Sequence, residues 1–354
     1  MPRWENEILG FVPKKDWLDV GTLVTRPNDP VDQLINDQKT DNLVAEWESL
    51  AAEYQIPMMA QFHGFDTEAQ TTVRMPIDRH NIEKGLIKVK INQTERMREL
   101  LGNGVTNQSR LYDYVIRDGV RLADQVVTRS KVAKNELLAT GKITIKENNL
   151  DLTVDYGVPQ AQTALTIDLD ADADIASEIQ TIVDTARAQG KILTGMYTSG
   201  AVLSKMRNNE ALQKLINGNI GAGALLRSQS LRDFLGDEFG LNTIITNDLT
   251  YALPATIGSN GRPQITTKRF YPKDKITFFA TNPAGRLATG LWGDPPEVSV
   301  ARFGNLDVSG STVSPYVTIS QWTEEDPAVL WTKASALFMP VLFDPESLYI
   351  ATEE

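Results

Sequence analysis

The stretch from Ser109 to Thr140 constrains the fold most, because it contains no proline and Gly141 follows it directly. Glycine is common just after a helix end, so the stretch is predicted to be one helix that ends at Thr140. At about 1.5 Å per residue this helix would be roughly 48 Å long. Helices in globular proteins average about 11–12 residues, so it is predicted to be the spine of a domain.

One half of the predicted helix is apolar. At about 100° per residue, this half carries Leu111, Val115, Ile116, Val120, Leu122, Ala123, Val126, Val127, Ala133, Leu137 and Leu138. Asn135 falls on the opposite, polar half. Arg129 and Lys134 interrupt the apolar half, and both side chains are long enough to carry their charge out to solvent. The apolar half is predicted to lie against β-strands.

The patterns after this helix predict an α+β fold. Two alternating runs flank Asn148 and Asn149, which predicts a β-hairpin. Beyond it, "DADIASEIQTIVDTARAQG" and "LRDFLGDEFG" are predicted helices, whereas "LNTIITND" and "DKITFFAT" are predicted strands. From Tyr316 onward the chain returns to strand patterns in "YVTISQWT", "AVLWTKASALFMPVLF" and "SLYIAT".

The composition narrows the chemistry that the chain can perform. It has no cysteine and two histidines, His63 and His80, which excludes disulfides and zinc sites built on several imidazoles. Its formal net charge of −11 argues against a surface that grips nucleic-acid phosphates tightly. No apolar run reaches the length of a membrane span, and the protein is expected in the cytoplasm.

Two motifs resemble ligand sites but lack the residues that those sites need. An EF-hand loop that starts at Asp168 needs glycine at its sixth position and glutamate at its twelfth. The chain has Ala173 and Ile179 there, so this stretch is predicted to be a capped helix start. The glycine-rich "NGNIGAGALL" lacks the Gly-Lys-Ser/Thr ending of a phosphate loop. No catalytic residue, cofactor site or metal site is assigned.

The first 54 residues are predicted to form an arm with little core of its own. They are polar and proline-bearing, and a few tryptophans are the main anchors. Trp4 and Trp17 are predicted to dock this arm on another subunit. A disordered leader is the alternative, because so polar a segment buries little apolar surface.

Residues 55–97 are predicted to form a long β-hairpin, in which "TTVRMPI" and "GLIKVKI" flank a polar tip, "DRHNIEK". An isolated hairpin is marginal in water, so it is predicted to lean on a neighbour. Its basic residues are predicted to face acidic patches on adjacent subunits: Arg74, Arg79, Lys84, Lys88 and Lys90. A merely solvated face is the alternative.

Two stretches resemble a known family. "RFYPKDKITFFATNPAGRLATGLWGDPPE" resembles a β-hairpin region of the lambda-type phage major capsid proteins, often called major capsid protein E. "ISQWTEEDPAVLWTKASALFMPVLFDPESLYI" resembles the closing segment of that family. The order of predicted elements also fits the family over most of the chain, although the arm contributes little.

The resemblance implies the Hong Kong 97 capsid fold, with an arm, an extended loop, a peripheral domain and a mixed α/β axial domain. On this basis residues 1–54 are the arm and residues 55–97 the extended loop. Residues 98–160 and 314–354 are the peripheral domain, with the spine helix at 109–140, and residues 161–313 are the axial domain. The returning strands from Tyr316 to Ile350 would pair beside the spine helix.

The resemblance also implies a structural, non-enzymatic function. Copies of the chain would assemble as hexamers and pentamers into the icosahedral shell of a tailed bacteriophage, around double-stranded DNA, in the host cytoplasm. The implied partners are a portal protein and a separate scaffolding protein, since the leader is too short for a fused one; a decoration protein is left open. The alternatives are an encapsulin-like bacterial compartment shell and, less favoured, a carboxylate-dependent hydrolase.

Overall fold

The computed structural model describes residues 29–49, 78–93, 105–218, 226–254, 256–257, 263–282, 285–298, 311–313, 316–324, 326 and 329–354. The α-helices in these ranges are α1 (Val105–Thr140), α2 (Gln160–Thr163), α3 (Ile175–Ala188), α4 (Gly200–Asn208), α5 (Glu210–Asn217) and α6 (Ser228–Phe239).

The strands fall into two larger sheets and several two-stranded ribbons. They are β1 (Ile35–Lys39), β2 (Val44–Ser49), β3 (Asp78–Glu83), β4 (Gly85–Gln93), β5 (Lys142–Glu147), β6 (Leu150–Asp155), β7 (Leu165–Ile167), β8 (Gly195–Thr198), β9 (Thr243–Thr246), β10 (Thr250–Ala252), β11 (Thr256–Ile257), β12 (Pro263–Gln264), β13 (Thr267–Arg269), β14 (Lys275–Phe279), β15 (Ala288–Gly293), β16 (Ser311–Val313), β17 (Val317–Glu324), β18 (Val329–Leu342) and β19 (Leu348–Glu353).

The first sheet has the order β1-β15-β18-β17-β16, and β4 also pairs with β18. β18 is its centre, because β17, β15 and β4 all pair with it in antiparallel fashion. α1 lies against β18, β4 and β17. Its buried Val126 and Leu137 join Ala334 and Phe338 in one apolar core. Burial of these side chains drives the helix onto the sheet.

The predicted spine helix is confirmed, and α1 begins four residues earlier than expected. It ends as the sequence predicts: Gly141 has a φ of 68°, and its N–H donates to the carbonyl oxygen of Leu137 at 2.8 Å. This left-handed glycine satisfies a carbonyl group that the helix end leaves free. Val115, Val126 and Leu138, on the predicted apolar half, are all 0% exposed.

Lys134 does not reach solvent, which corrects the prediction from the helical pattern. Its side chain is 1% exposed, and Nζ lies 2.8 Å from Oδ1 of Asp32 and 2.9 Å from Oδ1 of Asp37. Asn135, placed on the polar half by the pattern, is also fully buried. Both are covered because α1 also contacts the turn before β1 and strands β14 and β19 of the second sheet.

The second sheet has the order β7-β19-β14-β8-β9 and its own core. Helices α3 to α6 contribute to that core, in which Ile179 and Leu235 pack with Phe278 of β14. The predicted helix start after Asp168 is confirmed, since the Asp174 carboxylate accepts the Ser177 N–H at 3.2 Å. This is an N-cap of the ordinary kind.

Two strands lie in sheets other than those expected. β15 falls within the predicted axial domain, yet it pairs with β18 and β1 in the first sheet. β19, which the sequence places in the peripheral domain beside the spine helix, does contact α1 but pairs with β14 and β7 in the second sheet. Apolar patterning shows that a strand is buried but not which sheet buries it. The division into peripheral and axial domains remains a prediction.

The polar tip predicted within the extended loop is a strand. Residues "DRHNIE" form β3, which pairs with β2, and the next strand, β4, pairs with β18. Only Lys84 separates β3 from β4. Because the two strands pair with different partners, they form no hairpin with each other. The rest of the predicted loop, residues 55–77 and 94–97, lies outside the described residues.

Part of the predicted arm belongs to the first core. Pro30–Gln33 forms a 3-10 turn, and β1 pairs in parallel with β15. Val31 and Ile35 are 0% exposed. Pairing with a strand so far along the chain leaves no signal in the local sequence, which reads as polar and irregular.

The β-hairpin predicted after the spine helix is confirmed as β5 and β6. Asn148 and Asn149 connect the two strands, with φ values of 49° and 63°. Asparagine tolerates this left-handed conformation better than most residues, which is why the pair marks a tight turn. In the part of the chain that the structure describes, no helix is both long and apolar enough to cross a bilayer.

Candidate functional site

Strand β4 separates lysines from aliphatic side chains. Ile87, Val89 and Ile91 pack against the first core, whereas Lys88 and Lys90 between them are exposed. Successive side chains of a strand point to opposite faces. The two lysines therefore lie on the face of β4 that points away from the core, where a second molecule can reach them.

Lys84 is buried inside the subunit, which corrects its prediction as an inter-subunit contact. It is 2% exposed, and its ammonium group donates to the carbonyl oxygens of Thr40 at 3.1 Å, Asn42 at 2.6 Å and Trp292 at 3.2 Å. Burial lowers the pKa of Lys84, because an apolar environment disfavours the charged form. Lys84 thus joins the connection between β1 and β2 to β15.

Lys90 already has a partner within its own subunit. Its ammonium group lies 4.1 Å from the centre of the Trp331 ring, a distance at which a cation is attracted to an aromatic face. Trp331 is stacked on Trp322, with ring centres 6.1 Å apart. Lys88 has no ion pair within the described residues, so it is the cleaner candidate for a contact with another molecule.

The two-stranded ribbon of β2 and β3 carries the opposite charge. Glu46 and Glu83 are exposed along it, and Asp41, three residues before β2, is exposed as well. Arg79 lies in β3 with its Cα in register with that of Glu48, and its predicted contact with another subunit stays a prediction. Trp4, Trp17 and Arg74 lie outside the described residues.

A buried polar network joins α1 to the second sheet. Nδ2 of Asn247 lies 3.0 Å from Oδ1 of Asn135 and 2.8 Å from the hydroxyl of Tyr197. The Tyr197 hydroxyl donates to Oδ1 of Asn135 at 2.8 Å, and burial raises its pKa, so it keeps its proton. A buried hydrogen-bonded network of this kind favours one arrangement of the elements that it joins.

Asp29 extends this network to the segment before β1. Its Oδ1 accepts from Nδ2 of Asn247 at 3.2 Å and from the N–H of Val31 at 3.1 Å. Asp29 is 2% exposed, and its Oδ2 has no hydrogen-bond partner among the described residues. Burial is the main reason that the pKa of Asp29 is raised.

We expect Asp29→Asn to stabilise the subunit at neutral pH and to lose this advantage in acid. A carboxyl whose pKa is raised by folding binds protons more tightly in the folded state, so stability falls as pH rises through that pKa. The gain should be about 2 °C in melting temperature near pH 7.5 and should shrink towards pH 4. Thermal unfolding of both proteins across this range measures it; a gain that is constant with pH would contradict the assignment.

The described residues contain no group of three or more His, Asp or Glu side chains that could hold a metal ion. A groove of about 680 Å³ lies between α3, α5 and α6. Its residues are Ala176, Gln180, Leu215, Ile216, Ser230, Asp233, Phe234, Glu238 and Phe239. A carboxylate-dependent hydrolase needs acidic groups that converge on a bound substrate. This groove has two acidic residues, Asp233 and Glu238, and five of its nine residues are aliphatic or aromatic.

Comparison with known protein families places the chain among shell-forming proteins. The sequence profile of a family described as phage major capsid protein E matches residues 57–353. The match includes both stretches on which the resemblance was based and extends from the predicted loop to the last strand. No curated protein sequence matches the chain.

Solved structures share the fold at low sequence identity. The chain is similar to a phage-related protein of Bordetella bronchiseptica RB50, with 11% identity over 96% of each chain and a TM-score of 0.50. It is also similar to a protein assigned as the capsid protein of an Escherichia coli CFT073 prophage. That likeness has 12% identity and a TM-score of 0.56, and it covers 97% of this chain and 99% of the other.

Proposed function

The chain belongs to the phage major capsid protein E family, and on that premise we propose how its copies meet and with which partners they assemble. The protein is a structural major capsid protein of a tailed bacteriophage, with the α+β Hong Kong 97-type fold that the sequence predicts. Copies of it form the icosahedral shell that encloses double-stranded DNA. The observation that carries this conclusion is the family match over residues 57–353.

In this proposal the copies assemble in the host cytoplasm as hexamers and pentamers, with a separate scaffolding protein and a portal protein as partners. The protein has no catalytic activity and does not bind DNA tightly. Family membership supports the partners. The net charge of −11 supports weak DNA binding, because like charges repel. A wall that held DNA tightly would also slow its packaging.

The subunit contacts that we propose lie before the spine helix. Lys88 is the principal one, supported by its exposure and its lack of an ion pair among the described residues. Arg74, Arg79 and Lys90 are proposed to assist it against acidic surfaces of adjacent subunits. Trp4 and Trp17 are proposed to anchor the arm on a neighbour.

We expect Lys88→Glu to impair shell formation without unfolding the subunit. Reversal of an exposed charge costs little in the free subunit, whereas a carboxylate set against an acidic neighbour is repelled at every copy of the contact. The yield of shells should fall about tenfold, as measured by sedimentation at low salt. Lys273→Glu is the matched control, because it makes the same charge change at an exposed residue just before β14 of the second sheet. Normal shell formation by the Lys88→Glu variant would contradict the proposed contact at Lys88.

Electron microscopy of the purified protein, alone and with its scaffolding partner, tests the function itself. Closed shells or ring-like capsomers are expected in at least one sample. Compact small particles in both would contradict the assembly function. The encapsulin-like alternative predicts closed shells that enclose a cargo enzyme, so protein rather than DNA inside shells isolated from cells would favour it.

A further inference from the structure

Residues 29–39, which we call the leading segment, are attached at an edge of the first sheet. Within the described part of the chain, β1 pairs with β15 alone, and its last two residues are exposed. Val31 and Ile35 anchor the segment in the first core, so its release has a cost. Segments with few paired neighbours nevertheless open at a lower free energy than the whole domain.

The carboxylate of Asp29 is the polar anchor of the leading segment. Its Oδ1 accepts from Nδ2 of Asn247, which follows β9, at 3.2 Å. Asn247 also bonds to Asn135 of α1 and to Tyr197 of β8. One carboxylate therefore connects the leading segment to a network that spans α1 and the second sheet.

This carboxylate is poorly accommodated as an anion. Asp29 is 2% exposed, and its Oδ2 has no hydrogen-bond partner among the described residues. The two groups that donate to Oδ1, the N–H of Val31 and the amide of Asn247, are both neutral. Burial of a charge without compensating bonds costs free energy, and protonation relieves that cost. Burial raises the pKa of Asp29 for this reason.

The charges around Asp29 offset its burial only in part. Lys131 and Lys134 of α1 favour the anion, whereas Asp32 of the leading segment disfavours it. Both lysines are also paired with Asp32, at 3.5 Å and 2.8 Å from its carboxylate oxygens. Tyr197 of β8 adds no charge, because burial raises the pKa of its hydroxyl.

We infer that Asp29 is a proton-controlled switch: its protonated form holds the leading segment on the subunit, and its ionisation loosens that attachment. Release of the segment brings the carboxyl into water, where its ionisation is unopposed. Each unit of difference between the pKa values of the attached and released states changes the equilibrium between them about tenfold. Since the attached state binds the proton more tightly, attachment weakens as pH rises through the raised pKa.

This switch operates within a single subunit, so its test does not depend on the proposed assembly function. Hydrogen exchange of the full chain, corrected for the intrinsic effect of pH on amide exchange, measures the opening. Protection of the β1 amides should be about fivefold lower at about pH 7.5 than at about pH 4.5. Dilute urea should leave it unchanged, because a local opening exposes little surface. The same urea should lower the protection of β14, at the centre of the second sheet.

The variant Asp29→Asn should remove the pH dependence. Its amide oxygen can accept the same two hydrogen bonds, but it carries no charge at either pH. The β1 amides should therefore keep their acid-level protection at about pH 7.5. Asp155→Asn is the matched control, because Asp155 pairs with Lys142 where both side chains are about half exposed. It should leave the pH dependence of β1 as it is in the unaltered protein.

Three results would overturn the switch. A pH dependence of β1 that persists in Asp29→Asn would assign it to another group. Equal urea sensitivity of β1 and β14 would show that the leading segment is released only when the whole subunit unfolds. If Asp29→Asn does not fold, the unaltered protein still decides the question, because β1 protection that is the same at both pH values would exclude the switch.

Discussion

Replacement of Lys134 by methionine should lower the free energy of unfolding by about 3 kcal/mol. The lysine is 1% exposed and lies between the carboxylates of Asp32 and Asp37. Methionine fills much of the same space but removes the cation that lies between the two carboxylates, so Asp37 loses this partner and Asp32 keeps the ammonium group of Lys131 at 3.5 Å. Both keep some access to water, at 39% and 27% side-chain exposure, so the loss should fall at the lower end for a broken buried ion pair.

Urea denaturation of the unassembled subunit measures this loss, and Lys142→Met provides the control. Lys142 pairs with Asp155 at 2.7 Å, but both side chains are about half exposed. Water screens such a pair, so its removal should cost less than about 1 kcal/mol. Equal losses from the two variants would show that burial contributes nothing to the Lys134 cluster.

Truncation of Trp292 to alanine should cost about 3–5 kcal/mol. Trp292 is 1% exposed in β15, and its ring centre lies 4.6 Å from that of Phe338 and 5.2 Å from that of Tyr316. The alanine variant leaves a cavity between strands that are held by pairing on both sides. Close-packed neighbours collapse only partly into such a space.

Trp292→Phe should lower the free energy of unfolding much less than Trp292→Ala. The comparison of the two variants separates the contribution of packing from that of hydrogen bonding. Nε1 of Trp292 has no hydrogen-bond partner among the described residues, so its removal deletes no bond seen there. The denaturation midpoints of the two variants measure this difference in stability. A phenylalanine variant as unstable as the alanine variant would mean that the indole N–H, rather than ring volume, stabilises this site.

Local patterns in the sequence predict the elements that depend on local rules. The helical period and Gly141 predict α1 to its last residue, and two asparagines predict the β5–β6 turn, because each signal acts within a few residues. The alternation in β4 likewise predicts that Lys88 and Lys90 share an exposed face. These parts of the candidate site require no knowledge of distant partners.

The other features of the fold and of the candidate site depend on which distant segments of the chain meet. The local sequence gives no sign of these contacts. Lys134 is placed correctly on its helix, yet its burial follows from Asp32 and Asp37, which come about a hundred residues earlier. Lys84 shows the same difficulty, since its cage of carbonyl oxygens includes that of Trp292.

The pairing of β4 with β18 also determines how the subunit carries a mechanical load. β4 pairs along nine residues, from Gly85 opposite Phe338 to Gln93 opposite Leu330. Hydrogen bonds between antiparallel strands run across the strand axis, so a pull along β4 strains all of them at once instead of opening them one after another. Tension that a neighbour applies to the chain ahead of α1 is therefore resisted in shear and passes through β18 into the rest of the sheet.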